Sequence, residues 1–173
     1  MSKTSVFCIA RTYEQAVNIV DRLKADHFSN NDISVLLPDK SGTRDFAHEQ
    51  HTKAPEGATT GGVAGGILGG ALGWLVGIGT LAIPGVGPFI AAGPVMAALS
   101  GAAVGGVVGG IAGALIGLGI PEYEAKRYEG RLKNGGVLVS VHCDNSDWVK
   151  RAKDILRATG ADDISSSGEA GAD

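Results

Sequence analysis

The spacing of apolar positions changes twice within the first 38 residues. Residues 5–10 (Ser-Val-Phe-Cys-Ile-Ala) are a short run of β-formers and predict a buried strand. Thr12 follows as an N-cap with Gln15 three residues later, the pattern of a capping box. Ala16, Ile19, Val20 and Leu23 then recur at helical spacing, which predicts one apolar face on a helix over residues 13–26. The turn cluster Ser29-Asn30-Asn31-Asp32 leads into a second strand, Ile33 to Leu37, ended by Pro38.

The C-terminal part repeats this order after a charged helix, Tyr123 to Lys133, stopped by Asn134-Gly135-Gly136. Val137 to Val141 reads as a strand. Asn145 or Ser146 caps a helix carrying Trp148, Val149, Ala152, Ile155 and Leu156, Gly160 closes it, and a short strand surrounds Ile164. Neither βαβ half has enough strands to bury its helix alone, so the halves are expected to meet. The predicted fold class is α+β, a ferredoxin-like βαβ-βαβ sandwich interrupted by a long glycine-zipper helical hairpin. The expected segments are 1–38 for the first half, 39–56 for a polar connector, 57–121 for the hairpin, 122–166 for the second half and 167–173 for a disordered tail.

The interruption has its own pattern. Between Glu56 and Glu122 lie 65 residues without one Asp, Glu, Lys or Arg, and 21 of the 28 glycines fall there. Gly61, Gly65, Gly69, Gly73 and Gly77 recur every fourth residue, and Gly101, Gly105, Gly109, Gly113 and Gly117 do the same. On helices this spacing makes side-chain-free ridges that let backbones approach closely, so these ten glycines are the expected packing positions. Val63, Ile67, Leu68, Leu72, Leu75 and Val76 occupy other faces of the first arm, as Val104, Val107, Val108, Ile111, Leu115 and Ile116 do in the second. The first arm is expected over about residues 60–82, roughly 35 Å long and enough for a bilayer core. Pro84-Gly85-Val86-Gly87-Pro88 should break it, residues 89–93 should form a short turn on the far side, and the second arm should run from Pro94 to Leu118. If the hairpin is a separable insertion, a Gly/Ser linker replacing residues 57–121 should leave a soluble domain.

Composition adds limits. A formal net charge of −3 with 19% charged residues offers no basic patch for nucleic acid. Cys8 and Cys143 read as buried thiols in strands of a reducing cytoplasm. The apolar run at the N-terminus is too short for a signal peptide and Arg11 ends it. Lys53 on one flank of the hairpin and Lys126, Arg127, Arg131 and Lys133 on the other agree with a cytoplasmic side for both termini.

Candidate chemistry is sparse. His48 and His51 stand three apart, but a metal site needs more ligands and the zinc-protease spacing is absent, so a solvated polar turn is the expected reading over a metal site. His142 and Cys143 would point to opposite faces of a strand, and His27 ends a surface helix. No phosphate loop or nucleophile–base pair is visible, and the uncharged segment has no ionisable group to carry a proton or ion. No enzyme activity, cofactor, metal or small-molecule substrate is therefore expected.

Ile83-Pro84-Gly85-Val86-Gly87-Pro88-Phe89-Ile90-Ala91-Ala92-Gly93-Pro94, then Gly119-Ile120-Pro121-Glu122, Tyr128-Glu129 and Gly135-Gly136-Val137-Leu138-Val139, resemble the bacterial general stress protein (heat-induced stress protein) family, glycine-zipper hairpin type. The resemblance covers nearly the whole chain and implies a stress association, with no activity or residue roles to carry over. A more distant similarity is to the small membrane subunit of the quinol:electron-acceptor oxidoreductase complex. No haem-binding Cys-x-x-Cys-His is present, so that similarity implies a structural subunit of a redox complex at most. The expectation is a non-enzymatic, stress-associated homo-oligomer whose hairpin associates with itself and with lipid at the cytoplasmic membrane. The alternative is a soluble ring or shell with the hairpins buried inside.

Overall fold

The structure is a computed structural model that describes residues 4–38, 79–83, 87–92, 110–117 and 119–168. Strand β1 (Thr4–Ala10) is buried from Val6 onward, as its β-branched and aromatic content requires. Helix α1 (Tyr13–Ala25) starts at Thr12, whose side chain accepts the Gln15 N–H, and its buried residues are Ala16, Ile19, Val20 and Leu23. The expected capping box closes differently. Gln15 Oε1 accepts the backbone N–H of Arg11, not that of Thr12, while its Nε2 donates to the carbonyls of Thr159 and Gly160. A short 3-10 turn, Asn30–Asp32, leads into β2 (Ile33–Pro38).

Among the described residues two strands follow, β3 (Gly79–Ile83) and β4 (Gly87–Ala92), and further on helices α2 (Gly110–Gly117) and α3 (Glu122–Lys133). Strand β5 (Val137–Cys143), helix α4 (Ser146–Ala158) and strand β6 (Asp162–Gly168) follow. Acidic Glu122 and Glu124 open α3 and Arg131 and Lys133 close it, matching the helix dipole. Gly135 takes φ +91° behind α3, and a Cβ on Gly136 would lie 2.9 Å from the Arg131 carbonyl oxygen, so these two positions need glycine.

All strand pairs are antiparallel, in the order β3-β4-β2-β5-β1-β6. The chain is thus α+β: a four-strand antiparallel core, β2-β5-β1-β6, extended at the β2 edge by β4 and β3. Cys8 faces Val139 and Val35 faces Val139 on its other side, which fixes the register of the central three strands.

Alternation along these strands divides the core between two faces. On one, Val6, Cys8, Ala10, Ile33, Val35, Val137, Val139, Val141 and Cys143 pack against α1 and α4. On the other, Phe7, Ile9, Leu36 and Leu138 pack against α2 and α3 through Ile111, Leu115, Ala125, Tyr128 and Leu132. The four-strand core is covered on both faces by helices.

Four expectations change. Gly79–Ile83 is strand, so the first helical arm does not continue through residue 82. Gly87–Ala92 is a strand hydrogen-bonded to β2, with Leu37 opposite Ile90, where a short far-side turn was expected. The boundary between 121 and 122 does not separate hairpin from core, because Ile111 and Leu115 are fully buried against the sheet. Strand β6 runs through Ser167 and Gly168, where the sequence predicts the tail. A run of small apolar residues fits a strand or a helix, and pairing decides between them, of β4 with β2 and of β3 with β4.

Candidate functional site

Of the ten ridge glycines, Gly113 and Gly117 lie among the described residues, both on α2. Gly61, Gly65, Gly69, Gly73, Gly77, Gly101, Gly105 and Gly109 lie outside them, as do Lys53, His48 and His51. Within α2 the helical period sorts the side chains. Ile111, Ala112, Ala114 and Leu115 are buried, Gly113 is half-buried, and Ile116 and Gly117 are exposed, Ile116 at 43%. A Cβ added at Gly117 would meet nothing within 4 Å. Gly117, at the C-terminal end of the second ridge, therefore faces away from the described residues.

One charged side chain anchors α2. Glu129, on α3, accepts the Ala112 backbone N–H at 2.7 Å through Oε2, and Lys133 Nζ lies 2.6 Å from its Oε1. The carboxylate satisfies that backbone donor with a charge-assisted hydrogen bond. Burial pushes the Glu129 carboxyl up, but the Lys133 and Ala112 hydrogen bonds and the Lys133 charge outweigh it and hold it below its ordinary value. A carboxyl lowered in the folded state contributes stability above its unfolded pKa, and that contribution disappears as pH falls through the lowered folded value.

A second polar group pins β6. Arg11 forms a fork on Asp162, with Nε at 2.5 Å and Nη2 at 2.9 Å, and this hydrogen bond holds the Asp162 carboxyl low. Arg127 and Arg131 both reach Asp163, at 2.9 and 3.1 Å. Asp163 has φ +49°, a left-handed conformation that Asp tolerates better than most residues, and the β1–β6 register shifts between Phe7 and Ile9 beside it. Tyr128 donates its hydroxyl to the Asp163 carbonyl at 2.8 Å and lies 2.6 Å from Ser165 Oγ. Burial pushes the Tyr128 phenol up, keeping it a neutral hydroxyl. The carboxylates here are taken up by guanidinium groups, so the arrangement fixes an edge strand and leaves no free acid or base in it. Sequence reading missed this cluster because Arg11 and Asp162 are 151 residues apart.

Both cysteines are buried thiols in β1 and β5, outside any disulfide, as expected, and burial pushes Cys8 up to about 12. His27 has φ +70° just beyond α1, and His142 lies 3.4 Å from Asp144. Among the described residues no group of three His, Cys, Asp or Glu side chains could hold a metal ion, and no helix is long and apolar enough to cross a membrane. Comparison with protein-family models, with curated proteins and with solved structures finds no match to this chain.

Proposed function

We propose that this chain is a non-enzymatic, stress-associated protein that self-associates through its glycine ridges. The single observation that carries the self-association is the unbroken four-residue glycine spacing in a 65-residue stretch without charge. In water each interior helical glycine costs about 1 kcal/mol relative to alanine, so such ridges are retained only where close backbone packing repays it. The open space at Gly117 supports an intermolecular contact, because an added Cβ there meets nothing among the described residues. The stress association is carried by the resemblance to the general stress protein family. The strand order and the two βα connections fit a ferredoxin-like sandwich, with α1 and α4 as its helical layer and the glycine-zipper segment inserted between β2 and α3.

Two placements compete. A charge-free segment of this length suits lipid at the cytoplasmic membrane, with the α+β domain on the cytoplasmic side. Pairing of β4 with β2 favours the second placement, a soluble homo-oligomer with the apolar segments enclosed. A bilayer-spanning hairpin with its turn at residues 89–93 would carry that turn about 30 Å from the domain, whereas Phe89 to Ala92 are register partners of Pro38 to Val35. A role as structural subunit of a redox complex would add a partner protein to either placement.

Membrane fractionation with an alkaline carbonate wash, followed by sedimentation without detergent, tests both parts. A large, homogeneous, lipid-free particle in the soluble fraction supports the enclosed assembly. Carbonate-resistant material that disperses only in detergent supports the bilayer. A detergent-free monomer overturns self-association.

A further inference from the structure

The two halves of strand β6 meet solvent differently. Natural sheets guard an edge strand with charge, proline or a bulge, because its outward N–H and C=O groups are a template for another strand. In β6 these devices sit at the start: Asp162, Asp163 with its left-handed backbone, and the register shift beside them. Residues 165–168 carry none of them. They pair with residues 4–7 in unbroken register, have no charge or proline, and have no strand on their outer side among the described residues. Ser166 and Gly168 are exposed, and a Cβ added at Gly168 would meet nothing within 4 Å among the described residues. Lys153 reaches Ser166 Oγ from α4, which packs on one face of the sheet and not across its edge.

At the guarded end, three guanidinium groups meet two carboxylates. Arg11, Arg127 and Arg131 keep 72, 43 and 53% of their side chains exposed while they hold Asp162 and Asp163, which are largely buried. One positive charge is left in excess on the solvent side. Residues 169–173 have the opposite character, with Glu169 and Asp173 and no Lys or Arg. We propose that β6 is the contact of a two-fold dimer, pairing antiparallel with β6 of a second copy. A two-fold axis sets the open half of each strand along the open half of the other and turns the guarded ends outward. The residues beyond Gly168 of one copy then run beside the Asp162 end of its partner, so Glu169 and Asp173 meet the excess arginine charge. No like charges face each other along the shared stretch, and small serine and glycine side chains let the backbones approach. This contact is separate from the glycine ridges and joins copies through backbone pairing, so assemblies broken at the ridges fall to dimers.

Distance measurement between nitroxide labels on full-length Ser166→Cys, in the wild-type and Gly117→Leu backgrounds, tests the contact; the native Cys8 and Cys143 are buried. A distance between copies under about 25 Å is expected in both backgrounds, because paired strands lie about 5 Å apart and the shared stretch is short. Reversing the charges after β6, Glu169→Lys with Asp173→Lys, should weaken the dimer about tenfold at low salt and less in about 0.5 M salt. A short distance that vanishes in Gly117→Leu would assign the contact to the ridges and overturn β6 pairing, as would no short distance in either background. A short distance that persists while Gly117→Leu leaves the assembly size unchanged supports β6 and counts against the ridges instead. Equal dimer affinity with and without the charge reversal would also overturn the proposal. Should Ser166→Cys fail to fold, hydrogen exchange of the wild type decides. Protection of residues 165–168 that rises with protein concentration supports the pair, and exchange independent of concentration refutes it.

Discussion

A Gly/Ser linker in place of residues 57–121 is expected to abolish cooperative unfolding, whereas the same linker in place of residues 57–109 is expected to preserve it. The sequence pattern alone suggests that both replacements leave a soluble domain. The structure separates them because the longer replacement removes α2. Ile111 and Leu115 are fully buried, and full burial of each such side chain contributes about 1.5–3 kcal/mol. Removing α2 also uncovers part of the face made by Phe7, Ile9, Leu36 and Leu138. The combined loss approaches the 5–15 kcal/mol on the order of which small domains are stable. The shorter replacement keeps α2 and its Glu129 anchor and loses β3 and β4 from the β2 edge, where the four-strand core β2-β5-β1-β6 persists. Urea titration followed by tryptophan fluorescence reads the outcome, since Trp148 packs edge-on against Phe28 with ring centroids 4.8 Å apart. A cooperative transition for the longer replacement would remove α2 from the core.

Leu115→Ala is expected to cost about 2–5 kcal/mol, the range for truncating a buried leucine, while Ile116→Ala stays within about 0.5 kcal/mol of the wild type. The two positions are adjacent in sequence and differ in burial: Leu115 is 0% exposed and Ile116 43%. Hydropathy predicts the same response for both. Packing of one face of α2 on Phe7, Leu36 and Leu138 makes them differ. Chemical denaturation of the two variants measures this, and equal losses would mean that α2 is buried on all sides.

The α+β domain was legible where apolar period and caps agree. Thr12 caps α1, Asn145 caps α4 by accepting the N–H groups of Asp147 and Trp148, and Gly135-Gly136 end α3. The apolar faces of α1 and α4 are buried as their spacing predicts. Thr80-Leu81-Ala82-Ile83 and Pro88-Phe89-Ile90 were not legible as strands. Small apolar residues carry no decisive period; β4 is selected as strand by β2, some 50 residues away in sequence, and β3 by its pairing with β4. Helix α2 was read as the end of one long arm because its glycines continue the ridge. That the residues between them are core follows only once α3 and the second sheet face are in place. The Asp162–Asp163 cluster was invisible for the same reason: its arginines come from β1's end and from α3.

Self-association through the glycine ridge is tested most directly by the sedimentation profile of Gly117→Leu. Among the described residues the new side chain enters open space, so thermal unfolding and circular dichroism should match the wild type. If the ridge is the contact between copies, the added leucine separates backbones that touch, and the assembly should shift to smaller species. Gly69→Leu and Gly109→Leu should shift it in the same direction, and Val63→Leu, off the ridge, should not. A natively folded Gly117→Leu whose size distribution coincides with that of the wild type, together with unchanged Gly69→Leu and Gly109→Leu, would contradict the ridge as the surface that holds copies of this protein together.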